Sequence, residues 1–333
     1  MEPIEHQNPE ELPAVKALDL NPLTHAAEKL RKEIGQYLVG QEELVDLMMV
    51  GLFCNGHVLI EGVPGIAKTT AAKLLSAALD LKFNRIQFTP DLMPADVTGT
   101  SIFNIKSQEF EFRKGPIFAN MVLIDEINRA PAKTQAALFE VMEEGTVTID
   151  GQSHSVPKPF MVLATQNPIE QEGTYKLPEA QQDRFMMKLI IHYPNRDQEF
   201  EILQRFKSSH IEQGISSISP VMQSQEIEKI RQLIEQVFID ESLLQYIAGV
   251  VHATRIHKDL YLGASPRASL AIMRASRAVA ALHGRSFVTP DDIRFVTYPV
   301  LNHRLILTPE SEMDGIRLET VIQEILKSVE VPR

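Results

Sequence analysis

A chain of 333 residues, 44% of them hydrophobic and 23% charged, is long enough for two packed cores and carries no low-complexity tract. Its net charge of −11 sets it against a phosphate backbone, and no run of Lys and Arg offsets this, so nucleic acid is an unlikely partner. A single cysteine, Cys54, excludes an internal disulfide and reads as a small buried hydrophobe within the apolar run that starts at Val50.

Residues 1–22 hold Pro3, Pro9, Pro13 and Pro22 among acids and read as a loosely ordered arm. The arm lacks the basic start and apolar stretch of a signal peptide, and no segment approaches the roughly 20 apolar residues of a membrane span, so a cytoplasmic protein is expected. From Thr24, the spacing of Ala27, Leu30 and Ile34 predicts an amphipathic helix. Leu44, Leu47, Met48 and Leu52 predict a second, ended by Gly56. Residues 57–61 read as a buried strand running into Gly62, with a helix from Lys68 to Leu79. Further strands are expected at Asn84 to Phe88, Met121 to Ile124, Phe160 to Ala164 and Met187 to Ile191. Apolar strands alternating with helices imply a central parallel five-stranded sheet covered on both faces. Two segments interrupt the alternation as β-hairpin inserts, one at about 102–112 and one at 146–156 around the Asp150-Gly151 turn.

Past Pro194 the pattern becomes all-helical, with helices expected at Asp197 to His210, Gln225 to Val237, Glu241 to Arg255, Pro266 to Leu282, Pro290 to Thr297 and Met313 to Ser328. Ser265-Pro266 and Thr289-Pro290 are N-cap and first-turn pairs. The chain therefore divides into the arm (1–22), an α/β domain (23–194) and a small all-α domain (195–333).

The segment Gly62-Val63-Pro64-Gly65-Ile66-Ala67-Lys68-Thr69-Thr70 follows a strand and opens a helix, the context a phosphate-binding loop requires. Glycines let backbone N–H groups turn inward around an anion, and the helix N-terminus adds partial positive charge. Lys68 is placed to reach β- and γ-phosphates, and Thr69 to offer a hydroxyl to Mg²⁺. Ala67 stands where glycine is usual. Met121 to Ile124 then deliver Asp125 and Glu126 to a strand's C-terminal end, where open α/β sheets bind ligands. Asp125 suits Mg²⁺, and Glu126 suits the general base that polarises water. Asn167 ends the next strand, where an amide can orient water. No Asn-Lys-x-Asp word is present to read guanine, so ATP is the expected nucleotide and a GTPase switch is not.

Together with Gly263-Ala264-Ser265-Pro266-Arg267 in the helical domain, these words resemble an AAA+ ATPase from about Tyr37 to Leu305. In detail they are similar to the MoxR family, on the loop with its alanine, Asp125-Glu126-Ile127-Asn128-Arg129-Ala130, Ala164-Thr165-Gln166-Asn167-Pro168 and the run from Leu177 to Phe185. The resemblance implies an AAA+ P-loop domain with a helical lid, whose Walker A and Walker B segments are the loop and Asp125-Glu126. It implies an adenine pocket at Val39-Gly40-Gln41, sensor 1 at Asn167, an arginine finger at Arg184 acting on a neighbour's nucleotide, and sensor 2 at Arg267 reaching from the lid to the γ-phosphate. Arg129 is a further candidate interface charge, although its residue chemistry favours a surface salt bridge. The implied function is Mg-dependent ATP hydrolysis by a homo-oligomeric, hexameric ring. That ring would drive chaperone-like remodelling or maturation of protein clients, von Willebrand factor A-domain proteins among them. The rivals are an AAA+ DNA helicase or chelatase-type motor subunit and a nucleotide-binding scaffold with little turnover.

Overall fold

The computed structural model describes residues 18–63, 68–167, 175, 177–208 and 218–332. Helix Asn21–Gly35 begins inside the stretch read as an arm. Pro22 sits in its first turn, where a missing N–H is no loss, and Leu20, Leu23, Ala27, Leu30 and Ile34 bury one face. Helix Glu42–Phe53 follows and is buried along most of its length.

The five strands β1 (Val58–Glu61), β2 (Phe83–Gln87), β5 (Met121–Asp125), β8 (Met161–Gln166) and β9 (Met187–Ile190) form one parallel sheet in the order β2-β5-β8-β1-β9. Strand residues alternate between two cores. Val58, Ile60, Met121, Leu123, Met161 and Leu163 face one core. Leu59, Val122, Ile124, Val162 and Ala164 face the other, with Leu138 and Phe139 of helix Ala132–Glu144. Burial on both faces is why the three inner strands, β1, β5 and β8, read as continuous apolar runs, whereas the edge strands β2 and β9 carry polar residues such as Arg85 and Lys188. All five point the same way, so Gly62, Glu126 and Asn167 emerge at the C-terminal edge of the sheet, while His57, Phe160 and Met186 mark the N-terminal edge.

Both hairpins form, as β3 (Gly99–Asn104) with β4 (Glu109–Lys114) and β6 (Thr146–Ile149) with β7 (Gln152–Ser155). Asp150 and Gly151 have φ +50° and +76°, the mirror-image turn that matches strand twist. The first hairpin leaves Ile102, Phe103, Ile105 and Phe110 exposed.

Among the described residues, the C-terminal region is helical apart from a short antiparallel pair, β10 (Leu260–Leu262) with β11 (Ile306–Leu307), and an isolated bridge between Phe238 and Phe287, which an all-helical reading missed. Two helices also differ from expectation. Helix Pro290–Leu301 continues past Thr297 through Pro299, because Pro299, Val300 and Leu301 are all buried and packing outweighs the lost hydrogen bond. The helix expected from Met313 to Ser328 is two, Pro309–Met313 and Leu318–Ser328, broken where Gly315 takes φ +72°. Ile272, Ala275 and Val279 of helix Pro266–Leu282 share a contiguous core with Met48, Leu52 and the sheet face carrying Met161.

Candidate active site

The phosphate loop begins where β1 ends. The Gly62 N–H donates to the Gln166 carbonyl at 3.3 Å, fastening the loop's first residue to β8. Lys68 opens helix Lys68–Ala78, and its Nζ donates back to the Gly62 carbonyl at 2.6 Å. Burial lowers the Lys68 pKa, against the pull of Asp125, Glu126 and Glu61. The lysine thus shares its surroundings with both acids of the neighbouring strand end. Thr69 and Thr70 continue the helix's first turn, and Val63 is half-buried beside Gly62. Pro64, Gly65, Ile66 and Ala67 lie outside the described residues.

Asp125 is buried at the end of β5. Arg85 Nε donates to its Oδ2 at 2.5 Å and Thr165 Oγ1 to its Oδ1 at 3.2 Å. The same Thr165 hydroxyl accepts the Glu126 N–H at 3.0 Å, so β8 braces both acids. Glu126 has φ +56° and ψ +53°, a left-handed conformation uncommon outside glycine and often found at functional sites. Its Oε2 accepts from Gln87 Nε2 at 2.8 Å and pairs with Arg129 Nε at 3.1 Å. Arg129 thus partners the acid three residues before it within its own chain. The Thr69 hydroxyl and the Asp125 carboxylate are hard oxygen donors of the type Mg²⁺ takes, and Arg85 and Thr165 hold the carboxylate at fixed orientation, so these residues fit the ion.

Asn167 is buried at the end of β8, between the ends of β1 and β5. Gln41 lines a cavity of about 420 Å³ beside β9, with Gly40, Leu44, His192, Tyr193 and Tyr298. Gly40 has φ +67°, and a Cβ there would meet the Gln198 amide at 2.1 Å.

The two remaining arginines lie elsewhere. Arg184 precedes β9 at the N-terminal edge. Its Nη2 pairs with Glu143 Oε2 at 3.0 Å, with the guanidinium 5.9 Å from the Phe139 ring. Arg267 Nη2 reaches the same carboxylate, at Oε1, across 3.3 Å. Both line a cavity of about 320 Å³ whose wall includes Asn55 and His57, immediately before β1. The phosphate loop leaves the other end of that strand, roughly 13 Å away for four residues. Arg267 therefore lies away from the phosphate loop of its own chain, at the opposite end of β1. The physical reason is the docking of the helical region on one sheet face, which carries the start of helix Pro266–Leu282 to the N-terminal edge.

His57 closes this cavity. Its Nδ1 accepts from Val162 N and its Nε2–H donates to the Met142 carbonyl, each at 3.0 Å, so the ring is neutral. Burial pushes its pKa down from 6.5 to about 4, and burial also lowers that of His303. Unfolded chain therefore takes up protons before folded chain does. Stability should be full above pH 6.5 and fall as pH drops toward 4, by about 3 kcal/mol for His57 alone. Urea midpoints at pH 7.5, 6 and 5 measure this, and equal midpoints would contradict it.

Arg85, Gln87, Thr165 and Glu143 were not read as site residues in the sequence. The only local signal was Thr165 inside the Ala164 to Asn167 word. The others become visible once strand order and helix ends are known.

Comparison with known proteins agrees with this architecture. Residues 57–187 match the model described as ATPase family associated with various cellular activities (AAA), and residues 252–325 match an AAA lid domain. The chain is 45% identical to the YeaC protein of Bacillus subtilis, over 94% of this chain and 96% of that one. It is 43% identical to the chaperone MoxR1 of Mycobacterium tuberculosis, over 93% and 83% respectively. A solved structure of a Cytophaga hutchinsonii protein assigned as an ATPase superposes with a TM-score of 0.87 at 41% identity, covering 94% and 97% of the two chains. No helix among the described residues is long and apolar enough to cross a membrane. With its nucleotide-binding sheet, its helical lid and these relatives, the chain belongs to the MoxR-type AAA+ ATPases.

Proposed function

We propose that this ATPase acts as a ring in which each catalytic centre is assembled from two copies, and that ATP hydrolysis there drives remodelling or maturation of client proteins. One observation carries the reading. Lys68, Asp125, Glu126 and Asn167 gather at one edge of the sheet, and Arg184 with Arg267 at the opposite edge. The two groups can meet over one nucleotide only between neighbours, and a closed head-to-tail arrangement satisfies every copy.

In this reading the adenine enters the cavity at Gln41, and the loop from Gly62 to Thr70, with the Lys68 side chain, holds the phosphates. Thr69 and Asp125 would hold Mg²⁺, which would supply charge neutralisation at the phosphates. Glu126 takes a proton from the attacking water, and Asn167 orients that water. The neighbour's Arg184 and Arg267 stabilise charge on the transferred phosphoryl group, a task for which a planar, permanently charged fork is suited.

The chaperone role rests on the similarity to MoxR1 and on the apolar hairpin bearing Phe103, Ile105 and Phe110, a surface suited to partly unfolded protein. A von Willebrand factor A-domain protein is one expected partner. The net charge of −11 disfavours a DNA motor. Turnover per chain should rise steeply with protein concentration, in step with assembly seen by sedimentation, and vanish when EDTA removes Mg²⁺. Full turnover by a monomer would overturn the ring reading. Strong stimulation by single-stranded DNA would favour the helicase alternative.

A further inference from the structure

We infer that Asp183 and Arg304 form a buried joint that sets Arg184 and the helix carrying Arg267 as one rigid two-pronged unit, with Ser265 as the link to the second prong. Arg304 is a positioning residue here, since it touches no reacting group. The inference rests on the reading above that both arginines serve a neighbour's nucleotide.

The Arg304 guanidinium is 3% exposed and offers five N–H donors. All five are used. Nε donates to Asp183 Oδ1 at 2.7 Å. Nη1 donates to the Met186 carbonyl at 3.0 Å and to the Val300 carbonyl. Nη2 donates to the carbonyls of Asp183 at 3.2 Å and Phe185 at 2.7 Å. Four of these five bonds grip the backbone or side chain of residues 183–186, the segment from which Arg184 projects. The preceding residues extend the grip, with Asn302 Nδ2 donating to the Lys188 carbonyl at 3.0 Å and His303 Nε2 bonding to the Phe185 carbonyl at 3.1 Å.

The free side of the Asp183 carboxylate serves the other prong. Ser265 Oγ donates to Asp183 Oδ2 at 2.9 Å and accepts the Arg267 N–H at 3.2 Å, capping the helix that carries Arg267. Arg267 Nη1 lies 4.0 Å from the same carboxylate oxygen. Asp183 therefore faces Arg304 with one oxygen and the Arg267 helix with the other, while Arg184 leaves from the next residue. The side chains of Arg184 and Arg267 then converge on Glu143. Lysine at 304 has three donors on a tetrahedral head and cannot serve five acceptors held by a planar fork.

The test measures turnover, KM, binding of a fluorescent ATP analogue and melting for Ser265→Ala, Ser265→Asp and Arg304→Lys, each alone and combined with Arg267→Ala or Arg184→Ala. Ser265→Asp retains an N-cap acceptor but sets a second carboxylate against Asp183. We expect kcat to fall about 5-fold in Ser265→Ala and at least 10-fold in Ser265→Asp and Arg304→Lys, with KM and nucleotide binding within twofold of wild type. The Ser265 losses should disappear in the Arg267→Ala background, and the Arg304→Lys loss should shrink in the Arg184→Ala background to the part that passes through Arg267, because the joint acts only through those arginines. Should Arg304→Lys fail to fold, the two Ser265 variants decide alone. Wild-type kcat in the Ser265 variants, or equal losses with Arg267 absent, would overturn the joint while leaving the two-copy centre intact. Full turnover by Arg184→Ala would instead remove the two-copy centre, and the joint with it.

Discussion

The Glu126→Gln protein is expected to bind ATP as wild type does and to turn it over at least about 100-fold more slowly, the usual scale of general-base catalysis. The substitution keeps the shape of the side chain and keeps an acceptor for Gln87 Nε2, which now lies 2.8 Å from the Glu126 carboxylate. The Glu126 N–H bond to Thr165 is a backbone bond and survives. What is lost is the capacity to take a proton from water. Single-turnover hydrolysis measured beside nucleotide binding separates the two effects, and an unchanged chemical rate would remove Glu126 from the role of base. The same variant, loaded with ATP, should hold the client-engaged state, so proteins captured by it and not by wild type identify clients.

Arg184→Ala should also bind ATP and lose about 10³-fold in turnover, the lower range for an arginine finger. The stronger test is a mixture. Arg184→Ala subunits carry an intact Lys68, Asp125 and Glu126, and Glu126→Gln subunits carry an intact Arg184. Where the two meet in the right order, one complete centre forms, so combining two inactive proteins should restore a fraction of wild-type turnover. No recovery in mixtures shown to co-assemble would mean that Arg184 serves its own chain. That outcome is hard to reconcile with its place beside Glu143 at the edge of the sheet opposite Lys68.

The contrast between these two experiments follows the contrast in what was legible. Gly62 to Thr69 and Asp125-Glu126 are local words, because phosphate binding and metal binding at a strand end need contiguous residues with fixed backbone geometry. The inner strands β1, β5 and β8 were legible because burial on both faces makes them largely apolar, and the Asp150-Gly151 turn because its positive φ angles demand such residues. Arg85 and Gln87 were not, because they matter only once β2 lies against β5. Glu143 was not, because a carboxylate that gathers Arg184 and Arg267 depends on where a helix ends and where the lid docks. The same docking decides that Arg267 faces outward, away from its own nucleotide loop, and no periodicity in the sequence records it. The break at Gly315 was hidden for a simpler reason: the apolar spacing on either side continues in phase closely enough to read as one helix.

The core that joins sheet and lid has a mechanical consequence. Met161 and Met187 in the sheet, Met48 and Leu52 beneath, and Ile272, Val279 and Val300 in the lid pack as one mass without a seam. Prising the lid from its own sheet would wet that apolar surface at about 25 cal/mol per Å², so baring even roughly 400 Å² costs about 10 kcal/mol, as much as a whole domain's stability. Among the described residues, sheet and lid are joined by this packed surface, which resists bending between them and favours movement of the two as one wedge. In the proposed ring the compliant joints are then the gaps between wedges, where nucleotide would sit, and a change in the phosphate chain at one gap would be felt as rotation of the entire next subunit.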